Sequence, residues 1–447
     1  MNRRSFLTSS LGATALASLP GRLAAKDEPL LPQAPRTFDL GIKITDLKTF
    51  VVDSGNDENW VFVKIYTNQG IVGLGDGTMT GKGKTAENAI LEHKRYLVGK
   101  DPTEIERHWQ GIFRGPRYRG GPILMSAISA IDIALWDILG QALNVPIWQL
   151  LGGKARDRIR VYTNSGWPEA STRTKHKIWE AGEPDYSLPE MPADWIDRTI
   201  EKWMAVKEAG YTACKGNFIP TRGDIIEPTL NVRNGIKLLE RLREAVGWEF
   251  DILCELHGQA TPPMARDFCK EAEPYKPMWV EEPSQIELIE EMEQLRNHTS
   301  VPLATGERHL NKFEFSDMCA RQLVDYVQPD IVHAGGITEM KKIGALAEAF
   351  RIELAPHNPQ SEVSTVASMH ICACTPNAVI LETGSGQTPF FKDLFNGGLF
   401  EVEDGYAALP DRPGLGITLN EDIAARYPYQ PKPWHTPLST DGAYLDR

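Results

Sequence analysis

The sequence predicts an α/β fold, a parallel βα barrel preceded by a smaller α+β domain, and three observations predict it. Glu255, Glu281 and Glu307 stand 26 residues apart, each closing a short apolar run: FDILCE, PMWVEE and VPLATGE. The beat continues at intervals of 23 to 27 residues: Asp330 ends DYVQPD, His357 follows IELAP, and Glu382 ends NAVILE. Such intervals suit one strand, one helix and two loops, the cadence of a parallel sheet. Before Gly152 that cadence is absent, and strands come first with helices after them. If the sheet closes, every strand end lies on one face, where barrel active sites are built.

Taken in order, residues 1–25 read as a twin-arginine export signal. Arg3-Arg4-Ser5-Phe6-Leu7 precedes the small, apolar LGATALASLP, with Ala24-Ala25 as a cleavage site and no acid before Asp27. A periplasmic location is the expectation. Residues 26–38 are rich in Pro and charge and read as a linker. Residues 39–157 form the α+β domain. ITDLKTFVVDS and WVFVKIYTNQGIVGLGDG alternate as strands joined by an NQG turn. AENAILEHKRYLVG and SAISAIDIALWDILGQAL carry helical periodicity. Gly73-x-Gly75-x-Gly77 opens no helix, so it is no phosphate cradle. Residues 158–388 hold eight candidate strands: IRVYTN, TACKGN, FDILCEL, PMWVEE, VPLATGE, DYVQPD, IELAP and NAVILE. Between them lie helices such as TIEKWMAVKEAG and EMKKIGALAEAF. One stretch, 165–195, breaks the rhythm with a polar, Pro-bearing run. It reads either as a lid or specificity loop on the catalytic face or as a disordered insertion. Residues 389–447 are irregular, rich in Pro and aromatics, and are expected to return to the first domain.

With 447 residues the chain is long enough for a barrel and a second domain. A formal net charge of −12 argues against a nucleic-acid partner. Small anionic substrates stay compatible, because a metal ion and local cations can invert the field inside a site. Six cysteines lie singly in apolar runs and read as buried free thiols, with no zinc spacing among them. Outside the first 25 residues no segment reads as long enough to span a membrane, so no membrane partner is expected of the mature protein. Three acids around one point repel strongly unless a divalent cation sits among them, and oxygen-only ligands suit Mg²⁺.

At this point the residues resemble a known family. YRGGPILMSAISAIDIALWDI, WQLLGGK, CELHGQ, WVEEP, ATGER, QPDIVHAGGITE, LAPHNP and PDRPGLGI occur in that order from about Ile42 onward. The set resembles the enolase superfamily, and within it the mandelate-racemase-like acid sugar dehydratases, most closely the galactonate type. The resemblance implies a (β/α)7β modified TIM barrel under an α+β capping domain, with the C-terminus returning to the cap and the glycine motif forming a cap loop above the barrel. It implies one Mg²⁺ per subunit on Glu255, Glu281 and Glu307, with Glu282 not a ligand. Related dehydratases carry Asp-x-His where this chain has Glu255-Leu256-His257. The extra methylene matters, because Mg²⁺ demands near-ideal octahedral geometry at about 2.0–2.1 Å. Asp251 shares the strand face but lies four residues deeper, a poor substitute.

The same resemblance assigns the remaining roles. His357 is the base, with Asp330 fixing its tautomer and raising its basicity. Taken alone, His357 reads as a buried histidine satisfied by local backbone; the strand cadence decides for function. His257, two residues beyond Glu255 and so on the same side of the strand, is the acid for a departing hydroxyl. Glu382 donates to an enolate oxygen, Lys215 supplies positive charge, and Asn217 hydrogen-bonds substrate. Arg308 either binds substrate or pairs with acids, and His333 joins the substrate pocket. Racemases place Lys-x-Lys where this chain has Lys215-Gly216-Asn217, so a second-face base is missing. The implied reaction is Mg²⁺-dependent loss of water from an aldonate, galactonate first, through an ene-diolate to a 2-keto-3-deoxy acid. An epimerase, racemase or cycloisomerase of the same superfamily and a non-catalytic sugar-acid-binding homologue are the alternatives. A homo-oligomer is expected.

Overall fold

The computed structural model describes residues 39–55, 58–165, 191–221, 225–384, 390–397, 400–432 and 437–446. The expected export signal, the linker and residues 166–190 of the 165–195 stretch lie outside these residues.

Three antiparallel strands open the fold: β1 (Ile44–Asp53), β2 (Asn59–Thr67) and β3 (Val72–Asp76). Central β2 is buried along nearly its whole length. Helices α1 (Gly83–Glu92), α2 (Ile105–Arg114) and α3 (Pro122–Leu143) follow. Proline at the first turn of α3 and left-handed Asn144 after its last turn give it clean ends. Two expectations need correction here. Gly73 and Gly75 belong to β3, not to a loop. A Cβ at either would sit 2.1 or 1.9 Å from the carbonyl oxygens of Ala134 and Ala130, so these glycines let the backbone of α3 lie directly on the strand. And α3 itself, with 22 residues and an 18-residue window of mean hydropathy 1.7, is long and apolar enough to cross a membrane. Of its most apolar 18-residue window 78% is buried inside the protein, which makes it a core helix.

The second layer is the parallel sheet. Its strands are β4 (Arg158–Asn164), β5 (Ala213–Asn217), β6 (Asp251–Glu255), β7 (Trp279–Glu281), β8 (Leu303–Thr305), β9 (Tyr326–Val327), β10 (Glu353–Leu354) and β11 (Leu381–Thr383). Their order is β10-β9-β8-β7-β6-β5-β4-β11. Backbone bonds from Leu354 N to Asn377 O (2.8 Å) and from Val379 N to Leu354 O (2.9 Å) bring the two ends together and close the barrel. The (β/α) cadence and all eight expected strands are therefore present. Residues alternate across each strand. One set, Tyr162, Ala213, Leu253, Trp279, Ala304, Ala355 and Ile380, fills the barrel interior as one buried cluster. The other set, including Cys214, Ile252, Val280, Leu303, Val327, Leu354 and Leu381, packs with the surrounding helices in a larger cluster. All six cysteines are buried and unpaired.

The C-terminal segment adds an antiparallel strand, Tyr406–Ala408, to β4 and then meets the first sheet. Asp53 N donates to Tyr427 O (2.9 Å), and Asn59 exchanges two bonds with the backbone of Gln430. Phe62 and Phe395 stack edge to face with centroids 5.5 Å apart.

Candidate active site

The period of two that fills the barrel also builds its mouth. Two residues beyond the interior layer lie Lys215 after Ala213, Glu255 after Leu253, Glu281 after Trp279, His357 after Ala355 and Glu382 after Ile380. Asp330 follows Tyr326 by two such steps. Glu307 breaks the count: β8 ends at Thr305, and Gly306 at φ +142° turns the chain to reach it. All of the sequence-selected carboxylates thus come to one end of the barrel.

Ligand oxygens of Glu255, Glu281 and Glu307 all lie within 4.8 Å of one another. Trans ligands of an octahedral Mg²⁺ stand about 4.2 Å apart, twice the metal–oxygen distance. Small inward shifts of the side chains suffice, so the three residues fit a hard divalent cation. Lys215 shares their space. Its Nζ lies 2.8 Å from Glu281, 3.0 Å from Glu382 and 3.6 Å from Glu255, and the residue is 1% exposed. Burying a charge in this way costs several kcal/mol, which only close counter-ions offset. Burial pushes the Lys215 ammonium down, yet Glu281 and Glu382 outweigh it and hold the pKa well above its usual range. Burial also raises Glu255, and neighbouring Glu281 adds to the rise. Glu281, opposed by burial but facing Lys215, falls to about 2.

On the far side, His357 Nδ1 lies 2.8 Å from Asp330 Oδ2, and His357 Nε2 lies 3.3 Å from Glu307 Oε2. Asp330 is fully buried and accepts the Val332 amide at 2.8 Å. Burial lowers His357, but Glu307 and the Asp330 bond outweigh it and lift the imidazole to about 10. Burial raises the Glu307 carboxyl, but the charges of His357 and then His257 outweigh it and pull it down. The expected strand alternation does not carry to His257, however. The strand ends at Glu255, whose Oε1 accepts His257 N at 2.6 Å, and His257 turns at φ 54°. A left-handed non-glycine residue is costly and marks a constrained loop.

The remaining expected residues are placed as follows. Asn217 is 5% exposed; its Oδ1 accepts Ile219 N at 2.8 Å, while its Nδ2 is buried with no partner among the described residues. Such a donor is open to a ligand. Glu382 accepts from Lys215, from Asn358 N (3.0 Å) and from Asn164 Nδ2 (3.4 Å). Arg308 is engaged by Glu282, Gln285 and Ser284, which makes it a support for Glu282. His333 Nδ1 meets Ser126 Oγ at 2.8 Å, and its Nε2 is 4.0 Å from Asp330. It backs the Asp330–His357 pair. Sequence reasoning missed Asn358, Glu58 and Ser126. Asn358 is fully buried and ties His357's own loop to Glu382; it stands in the LAPHNP motif, where its adjacency to His357 was the signal. Glu58 accepts Thr80 Oγ1 at 3.0 Å; burial first, then Asp76 and Asp330, raise its carboxyl to about 7.

Residues 44–152 match the mandelate racemase/muconate lactonizing enzyme N-terminal domain, and residues 198–423 match the enolase C-terminal domain-like family. The chain belongs to the mandelate racemase/muconate lactonizing enzyme family. Within that family it is 36% identical over 402 residues to D-galactonate dehydratase of Cronobacter sakazakii, covering 89% of this chain and 97% of the relative. A Pantoea ananatis enolase crystallised with D-gluconate and Mg is 30% identical, with a TM-score of 0.79 over 90% of this chain and 99% of the other. The 3,6-anhydro-D-galactonate cycloisomerase of Zobellia galactanivorans is 26% identical, with a TM-score of 0.74 over 87% and 100%. The barrel and capping domain of this chain are those of the enolase superfamily.

Proposed function

We propose that the protein is a hydro-lyase that dehydrates an aldonate of the galactonate or gluconate type to its 2-keto-3-deoxy acid, with Mg²⁺ on Glu255, Glu281 and Glu307. One observation carries this reading: His357, held by Asp330 at 2.8 Å, presents Nε2 3.3 Å from Glu307 of the three-glutamate cluster. That supplies a base at the cluster, and His257, in the turn directly after Glu255, is the candidate acid. A bound divalent ion would hold the substrate carboxylate and offset the negative charge that builds on it.

The residues do the rest. His357, its Nδ1 proton held by Asp330, presents Nε2 toward Glu307 and takes the C2 proton. The Glu307 charge that lifts this imidazole is the same charge a divalent ion would neutralise. His257 gives its proton to the C3 hydroxyl as the C–O bond breaks, so water leaves and the enol product tautomerises to the keto acid. Lys215, buried among three carboxylates, keeps the mouth from accumulating unbalanced negative charge. Asn217 offers its free amide donor to the substrate. It stands where a two-base racemase needs its second base, which favours dehydration over racemisation. The kinship to a cycloisomerase is more distant, at 26% identity, and carries less weight.

The test is a screen of aldonates and aldarates with Mg²⁺, reading 2-keto-3-deoxy acids by semicarbazide absorbance. A product that disappears with EDTA and in His357→Asn supports the reading. Silence from protein shown to bind Mg²⁺ would end it, and solvent-deuterium exchange at C2 without dehydration would point to epimerisation. We also infer export through residues 1–25; a reporter fused to them and retained in the cytoplasm would end that inference.

A further inference from the structure

The Asp330–His357 pair stands where the barrel itself is thinnest. Strands β9 and β10 pair over two residues each, and the pair forms only a lone parallel bridge beyond them. Its support comes from the capping domain, at two places.

The first is α3. Ser126, Ser129 and Asp132 are spaced three apart and so follow one helix face. They meet successive points of the segment after Asp330, from its loop into the first turn of the helix Gly336–Ala349. Ser126 Oγ lies 2.8 Å from His333 Nδ1, Gly335 N donates to Ser129 Oγ at 2.9 Å, and Thr338 N donates to Asp132 Oδ2 at 2.9 Å. A Cβ on Gly336 would lie 2.5 Å from Asp132 Oδ2, so the loop approaches this closely only with glycine there.

The second is the end of β3. Asp76 Oδ2 accepts Ser361 Oγ at 2.5 Å, while Thr78 N and Oγ1 donate to its other oxygen at 2.8 and 2.6 Å. Thr78 Oγ1 in turn accepts Val61 N at 3.0 Å. From Ser361 the chain of bonds runs inward. Ser364 Oγ reaches Ser361 O (2.8 Å) and Asn358 Oδ1 (2.6 Å), and Asn358 donates to Glu382, which accepts from Lys215. Every side chain on this path is at most 1% exposed. A buried path of this kind is either fully satisfied or badly compromised, so breaking one link is felt along it. It passes directly beside His357.

We propose that the capping domain sets the position of the Asp330–His357 pair through these two clamps, with Asp76 and Ser126 acting as positioning residues. Misplacing a reacting group by about 1 Å costs on the order of 100-fold in rate. The activity arm of the test rests on the dehydratase reading; the exchange arm does not. Mg²⁺-loaded wild type, Asp76→Asn, Ser361→Ala, their double variant and Ser126→Ala are compared by kinetics on D-galactonate and D-gluconate and by peptide hydrogen–deuterium exchange. Asp76→Asn and Ser361→Ala are each expected to raise exchange in residues 355–366 and to lower kcat about 10- to 100-fold, with KM within about threefold. The double variant should be no worse than the worse single, because both cut one path. Ser361→Thr should restore most of kcat, and Ser126→Ala should raise exchange in residues 330–340. Losses that multiply in the double variant, or unchanged exchange in 355–366, overturn the proposal. Should Asp76→Asn not fold, Ser361→Ala decides alone. If wild type turns over neither aldonate, the dehydratase reading falls and exchange alone decides the clamps.

Discussion

The two flanks of the barrel mouth are built by different means. On the acid flank, Glu255 and Glu281 sit within the ladder itself, as registered partners on β6 and β7, and Lys215 lies on the five-residue β5. On the imidazole flank, Asp330 and His357 lie beyond two-residue pairings and depend on contacts from the other domain. Strand pairing fixes the position of the first group, whereas tertiary contacts lend position to the second. Charge and placement are thus separable: the acid flank governs what the site holds, and the imidazole flank governs whether it reacts.

Breaking the acid flank should have the largest effect. Glu281→Gln removes the best-placed counter-ion of a buried lysine. Losing one partner of a buried pair costs about 3–5 kcal/mol, and the lower end applies because Glu382 still faces Lys215. We expect metal retention and activity to vanish and the metal-free protein to lose about 3 kcal/mol. Elemental analysis and denaturant unfolding read both. His357→Asn should instead keep the metal while kcat falls about 10²–10⁴-fold, with a stability cost of its own because buried Asp330 loses its charged partner. If both variants lose metal equally, the two flanks are not separable.

Glu255→Asp comes next and tests the departure from related dehydratases. Glu255 Oε1 accepts the amide of left-handed His257 at 2.6 Å. A carboxylate one methylene shorter can still accept this amide, as Asp330 does from Val332 N, but it draws back from Glu281 and Glu307 and so from a cation the three would share. Mg²⁺ affinity and activity should each fall about tenfold, the size of one charge-assisted contact of 1.5 kcal/mol or so. A rise in activity together with tighter Mg²⁺ binding would show that the longer native side chain impairs ligation.

How much of this was legible beforehand follows the same division. The barrel, its eight strands and the convergence of Glu255, Glu281, Glu307, Asp330, His357 and Glu382 could be read from spacing, because strand alternation is local and repeats. His257 misled, because the left-handed turn that ends β6 is invisible to a period-two count. The clamps were not legible at all as contacts. Ser126 and His333 are 207 residues apart in sequence, and Asp76 and Ser361 are 285 apart. Half of the signal was nonetheless present: Ser126, Ser129 and Asp132 are polar residues at helical spacing on a mostly apolar helix. Such residues declare that they need partners without naming them.

The smallest expected effect on catalysis is the control for the clamps. If they act through specific bonds, changing the stability of the capping domain elsewhere must leave kcat alone. Asp137 serves this purpose. It is buried on α3, accepts the amides of Leu74 and Leu415 at 2.9 Å each, and burial raises its carboxyl to about 6. An unfolded aspartate titrates near 3.8. As pH rises from about 4 to 6 the unfolded chain releases this proton first, so the folded state binds more protons and loses stability across that window. Above about 6 both states are ionised and the loss is constant. Asn at this position cannot ionise. The stability of Asp137→Asn relative to wild type should therefore improve by up to about 3 kcal/mol between pH 4 and 6 and stay level above it, whatever fixed cost the lost acceptor imposes. Denaturant midpoints across that range measure the slope. Over the same range kcat should track wild type; a kcat that followed the stability difference would mean that the cap acts through its overall stability and not through Asp76 and Ser126.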